Sequence, residues 1–149
     1  MIPRRQDSLR IRESALREII AHARQDAPDE CCGLLVGPAA PVEPPYGDGP
    51  IDEAVRVTNV DRGPTRYRIN PVEHVRLQKR LRGTGRAIAG AYHSHTRAPA
   101  VPSVSDLAEA FYPEFVYLIV SLADPERPEI RGWRIIDAIA TELSLTAAP

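Results

Sequence analysis

At 149 residues the chain has the length of one domain, with room for a single well-filled core. Hydrophobic residues make up 43% and charged residues 26%, the composition of an ordinary globular protein. A net charge of −1 gives no general attraction to nucleic acid or an anionic membrane, and aromatics at 5% are a poor supply of base-stacking platforms.

The N-terminal MIPRRQDSLR is charged with no apolar segment behind it, so no secretory signal is expected. SLRIR alternates polar and apolar residues like a short edge strand. From Arg12 to Gln25 the spacing changes: Ala15, Leu16, Ile19, Ile20 and Ala23 form the stripe of an amphipathic helix, and Pro28 lies past its end. CCGLLVG reads as a buried strand. Cys31 and Cys32 are the only cysteines, and the geometry of a bridge between neighbours strains the peptide between them. The chain is therefore not a disulfide scaffold, and a reducing cytoplasm is its expected location. Both cysteines are expected to be small core residues.

Residues 38–50, PAAPVEPPYGDGP, form a proline- and glycine-rich loop of a length that often carries function. EAVRVTNV (53–60) and TRYRIN (65–70) alternate like strands. Pro71 suits the first turn of a helix carrying Val72, Val75, Leu77 and Leu81, which GTG (83–85) ends. The basic cluster Arg76, Lys79, Arg80, Arg82 and Arg86 reads as a solvated helix face, with an acidic partner as the alternative. His22 and His74 read as ordinary surface residues. RAIAGAYHSH (86–95) is an apolar strand, and residues 103–111 form a short helix. FVYLIVSL (115–122), EIRGWRII (129–136) and AIATELSL (138–145) follow as strands. The apolar run FVYLIVSLA is about half the length of a membrane-spanning helix. The expected architecture is α/β or α+β, helices against one curved, largely antiparallel sheet, in one domain over residues 1–149.

The chemistry gathers in AYHSHTRAPAVPSVSDLAE (91–109). On a strand, His93 and His95 point to the same face with Cα atoms about 6.6–6.8 Å apart, so two imidazoles can converge on one ion. If the loop TRAPAVP folds back, Asp106 supplies a third ligand. Three protein ligands leave a fourth position for water, the pattern of a catalytic zinc site, and nitrogen and oxygen donors suit a hard or borderline divalent metal. Each piece alone has a plainer reading: a His-x-His pair arises without a metal, and Ser103-x-x-Asp106 is a capping-box variant. The two are compatible, since a cap can fix the helix that aims Asp106. A general base is available at Glu30 or Asp29, where PDECCGLLVG enters its strand; composition and spacing do not choose between them. HExxH, G-x-S-x-G and Walker motifs are absent.

Glu30, HSH at 93–95, the seven residues TRAPAVP, Ser103 and Asp106 together resemble the signature of the JAMM metalloproteases, the catalytic MPN-domain proteins. AHARQDAPDECCGLLVGP, VTNVDRGPTRYRINPVEH and YHSHTRAPAVPSVSDL are similar to the bacterial stand-alone members over most of the chain, and among those to the ones that process a ubiquitin-like sulfur carrier in bacterial cysteine synthesis. The resemblance implies a cytidine-deaminase-like architecture, one Zn2+ per chain on His93, His95 and Asp106, Glu30 as general base, and Ser103 stabilising the oxyanion. Asp29 is thereby set aside. Many relatives carry proline where this chain has Thr96, which touches the loop conformation and not the ligand set. The implied partner is a ubiquitin-like or sulfur-carrier protein ending in Gly-Gly, whose tail adds as an extended strand with the 38–50 loop as a candidate cleft wall. Removal of a protein modifier by a deubiquitinase-like isopeptidase, or a non-catalytic MPN scaffold, are the alternatives. No nucleic acid and no membrane are expected.

Overall fold

The computed structural model describes residues 8–39 and 50–149. Elements follow in the order β1 (Ser8–Arg12), α1 (Glu13–Asp26), β2 (Cys32–Pro38), β3 (Glu53–Val57), α2 (Pro71–Leu81), β4 (Arg86–His95), α3 (Val104–Ala108), β5 (Val116–Ser121), β6 (Glu129–Ile136) and β7 (Ile139–Ala148). The strands form one seven-stranded sheet in the order β1-β7-β6-β5-β4-β2-β3. The pairs β1–β7 and β4–β5 are parallel; the other four are antiparallel. The sheet is thus mixed within the expected α+β class.

Two apolar cores lie on the two faces of this sheet. One holds Ile11, Ile19, Leu35, Tyr92, Leu118 and Val120 beneath α1. The other holds Leu34, Ala91, Ile119 and Trp133 with Leu77 and Leu81 of α2. Alternation along β4 decides what each face receives: Tyr92 enters the α1 core, while Ala91, His93 and His95 share the opposite side. β5, VYLIVS, is buried throughout, as a central strand with a helix layer on each face must be. Gly33 makes room for Tyr92, because a Cβ at position 33 would lie 2.1 Å from the Tyr92 ring.

Several expectations need correction. TRYRIN is not a strand; it has one isolated bridge, Asn59 to Ile69. The Asn59 side chain takes the place of a ladder there, its Oδ1 accepting from the amides of Arg68 (2.9 Å) and Asp61 (3.0 Å) and its Nδ2 donating to Arg66 O (3.0 Å). The strand at 53–60 stops at Val57, because the Thr58 amide turns to Glu73 Oε2 at 2.6 Å. The helix after Ser103 ends at Ala108 rather than Phe111, where the Tyr112 amide is claimed by the Tyr117 hydroxyl. Ala138 belongs to a tight turn and not to the last strand: Asp137 and Ala138 have φ of 52° and 61°, the left-handed pair of a two-residue hairpin.

His22 is not a surface residue. It is 5% exposed, on the α1 stripe three residues after Ile19, and Nδ1 lies 2.7 Å from the Tyr92 hydroxyl. His74 is half-buried, packed edge-on against Tyr112. Arg76, Lys79, Arg80 and Arg82 are exposed as expected, whereas Arg86 pairs with Asp52 at 2.6 Å and Glu53 at 3.1 Å. Cys31 and Cys32 are buried, free core residues. Most of the 38–50 loop lies outside the described residues. No helix among the described residues is long and apolar enough to cross a membrane.

Candidate active site

The last turn of alternation in β4 delivers His93 and His95 side by side, 2% and 5% exposed, with their Nε2 atoms 3.2 Å apart. α3 brings Asp106 to them. Its entry is fixed by a complete capping box: the Asp106 amide donates to Ser103 Oγ (3.1 Å) and the Ser103 amide donates to Asp106 Oδ2 (2.9 Å). That same Oδ2 stands 3.1 Å from His93 Nε2 and 3.0 Å from His95 Nε2. The cap and the convergence of three donors coexist, the first orienting the second.

These three atoms suit a bound cation. Bonds of about 2.0–2.1 Å in tetrahedral geometry put neighbouring ligand atoms about 3.3 Å apart, close to the edges of this triangle. The ring orientations are set differently for the two histidines. His95 donates Nδ1–H to the Pro99 carbonyl at 2.8 Å, which leaves the Nε2 lone pair directed at the triangle. His93 is held by its neighbour's ring: Tyr67 stacks on it with centroids 4.1 Å apart and planes 15° from parallel. Burial disfavours the imidazolium of His93 and lowers its pKa. Burial also acts against the charged form of His95, but hydrogen bonds to Asp106 and Pro99 outweigh it and raise its pKa. Burial alone would raise the pKa of Asp106, yet the two histidines hold it well below the usual carboxylate range. Neutral imidazoles and an ionised carboxylate are the forms in which these groups ligate metal.

Glu30 is 5% exposed, and its Oε1 is buried with no hydrogen-bond partner. Burial pushes its pKa up to about 7, with His95 opposing and Asp106 adding to the shift. Its backbone is held at both ends, the amide donating to Gly63 O (2.8 Å) and the carbonyl accepting from Asn59 Nδ2 (3.1 Å). The next residue links it to the histidine strand: the Cys31 amide donates to Ser94 Oγ (2.8 Å) and the Ser94 amide to Cys31 O (3.1 Å). Cys32 faces His93 across β2 and β4. Asp29, by contrast, pairs with Arg62 at 3.0 Å. Glu30, His95 and Ser103 line one cleft of about 570 Å3. A buried carboxylate poised near neutrality beside a cation site can move protons.

The five residues singled out from the sequence therefore stand together. Tyr67, Asn59 and the Pro99 carbonyl were not among them. Asn59, just ahead of the turn sequence DRG, carried a turn-former's signal; the apparent strand alternation of TRYRIN concealed Tyr67.

Residues 12–136 match the family described as prokaryotic homologs of the JAB domain. The chain is 37% identical over 132 residues to the CysO-cysteine peptidase of Mycobacterium tuberculosis, covering 89% of this chain and 86% of the relative. It is 33% identical over 118 residues to the desampylase of Haloferax volcanii, covering 76% and 80%. A protein from Desulfitobacterium hafniense, solved in solution, superimposes with a TM-score of 0.78 at 30% identity over 94% of this chain and 92% of that one. A JAB1/MPN domain protein from Archaeoglobus fulgidus shares the fold, with a TM-score of 0.56 at 20% identity over 93% and 98%. The extent of the match and the fold in common establish that the chain belongs to the prokaryotic JAB-domain family.

Proposed function

We propose that this protein is a zinc-dependent peptidase that hydrolyses the bond after the C-terminal Gly-Gly tail of a ubiquitin-like protein, a sulfur carrier in cysteine biosynthesis. The observation that carries the reading is the convergence of His93, His95 and Asp106 within 3.2 Å of one another, with the buried Glu30, whose Oε1 has no hydrogen-bond partner, lining the same cleft as His95. The relatives add the substrate class, since one is named for a CysO-cysteine adduct and another as a probable TtuB-protein conjugate cleaving protease. Two free, buried cysteines suit a reducing cytoplasm.

His93, His95 and Asp106 would hold the zinc. A zinc ion held by these three residues would supply a water of lowered pKa and a Lewis acid for the scissile carbonyl. Glu30 takes one proton from the attacking water and passes it to the leaving nitrogen. The Ser103 hydroxyl receives the Asp106 amide on its oxygen, which leaves its proton free to donate to the carbonyl oxygen as charge develops there. A C–O bond forms, the C–N bond breaks, and the products are a tail carboxylate and a free amine. A Gly-Gly tail lies extended and enters a narrow cleft without side-chain clash.

Removal of a protein modifier is the second reading, favoured by the match to the desampylase over 80% of that protein. A scaffold role is disfavoured by the complete ligand set of His93, His95 and Asp106. The test is metal analysis with product identification. The purified protein should hold about one zinc per chain and convert CysO–cysteine to a carrier ending in Gly-Gly, with no product in chelator. Full zinc retention in His93→Ala, His95→Ala and Asp106→Ala alike overturns the reading.

A further inference from the structure

The cleft that contains Glu30, His95 and Ser103 also contains Arg97. Other arginines of the surrounding segments are engaged, Arg62 with Asp29 and Arg66 with Glu109. Arg97 makes no hydrogen bond or ion pair among the described residues. The backbone on either side of it is nonetheless firmly placed. The Leu122 amide donates to His95 O (2.9 Å), Ser121 Oγ to Ala98 O (2.7 Å), His95 Nδ1 to Pro99 O (2.8 Å) and Trp133 Nε1 to Ala100 O (3.0 Å). The loop is thus braced without any help from the Arg97 guanidinium, which stands as an uncommitted cation in the wall of the cleft.

Resting on the peptidase reading above, we infer that Arg97 binds the α-carboxylate of the amino acid to be released, so that the cleft takes carrier adducts ending in one free amino acid over isopeptide-linked conjugates. The leaving nitrogen of a terminal amino acid is two bonds from its own carboxylate carbon, so that carboxylate must enter the cleft with the scissile bond. There it meets the Glu30 carboxylate, a like charge that a nearby cation offsets. The guanidinium fork matches a carboxylate in two parallel hydrogen bonds. An isopeptide leaving group is a lysine ε-amine on a methylene chain, with no carboxylate beside it for Arg97 to read.

The experiment compares two probes, CysO–cysteine with a free C-terminal acid and the same adduct as its C-terminal amide, on wild-type, Arg97→Ala and Arg97→Lys proteins loaded with zinc. Calorimetric binding of both probes is measured in parallel on Glu30→Gln protein with and without Arg97→Ala. The wild type should prefer acid to amide in kcat/KM by roughly 10- to 100-fold, the scale of a charge-assisted contact. Arg97→Ala should lose that preference by slowing only the acid, and Arg97→Lys should keep part of it. Equal cleavage of acid and amide by the wild type overturns the inference while leaving the peptidase reading intact. So does an equal loss on both probes in Arg97→Ala, which would place Arg97 against the carrier body. If neither probe turns over but acid binding depends on Arg97, the peptidase reading fails and the carboxylate site stands. If binding shows no acid preference, the carboxylate site fails.

Discussion

The ring of Tyr67 lies against that of His93, centroids 4.1 Å apart, where His95 is held instead by the Pro99 carbonyl. One histidine is oriented by a hydrogen bond and the other by an aromatic face. Tyr67→Phe keeps that face and should leave zinc affinity unchanged. Tyr67→Ala releases the His93 ring and should weaken zinc binding about 10- to 100-fold, the range for losing a group that orients a ligand. Competition against a chromophoric chelator measures this, and equal affinity in all three proteins would remove Tyr67 from the site's support.

Glu30 allows two separable measurements. Glu30→Gln removes the proton acceptor and preserves shape, so zinc should be retained while turnover falls by roughly 10² or more. The second is stability in the metal-free protein. The carboxyl pKa rises from 4.5 unfolded to about 7 folded, so the folded state binds the extra proton between these values. Stability therefore declines as pH rises through that window, and the cost of holding a buried carboxylate is complete above it. Glu30→Gln should be more stable than the wild type at pH 8, by roughly 1–3 kcal/mol, and indistinguishable at pH 4. Urea titrations at the two pH values decide it. Zinc should narrow the gap at pH 8, because a nearby cation favours the ionised carboxylate.

Ser103 holds a structural and a chemical position at once. Ser103→Ala removes the acceptor for the Asp106 amide and should cost about 1 kcal/mol of stability, the usual scale of a lost helix cap. If the hydroxyl also donates to the oxyanion, turnover falls by up to roughly 10²–10³. Normal turnover with the stability loss alone would reduce Ser103 to a cap.

The parts of this site legible in the sequence were those set by local periodicity. His93 and His95 share a face because a strand has period two, and Asp106 follows Ser103 because a capping box has fixed spacing. Glu30 was not legible in the same way. Its place depends on the register that sets Cys32 opposite His93 and on the Asn59 and Gly63 contacts to its backbone, all of them non-local. Resemblance to a known family, not spacing, separated it from Asp29. The alternation of TRYRIN does not make it a strand, because alternation alone does not show whether a partner strand exists, and here the Asn59 side chain takes the backbone groups. The burial of His22 is not legible from its position on the α1 stripe alone, because the Tyr92 hydroxyl that makes it tolerable arrives from 70 residues away.

The link between base and ligands runs through Ser94, which sits between His93 and His95 and faces the other way. Its Oγ accepts the Cys31 amide at 2.8 Å, and both residues are fully buried. Ser94→Ala leaves that amide without a side-chain acceptor in a site closed to water, a penalty of about 1–3 kcal/mol. The metal triangle should be untouched, since β4 keeps its pairing with β2 and β5 and the hydrogen bond of Ser94 Oγ goes to the Cys31 amide rather than to any of the three ligands. Zinc affinity should therefore match the wild type, while turnover falls because Glu30, one residue from Cys31, loses part of its fixed placement. Denaturant midpoints, chelator competition and turnover on one preparation separate these effects. A loss of zinc affinity as large as the loss of turnover would show that Ser94 supports the histidines themselves rather than the segment carrying Glu30.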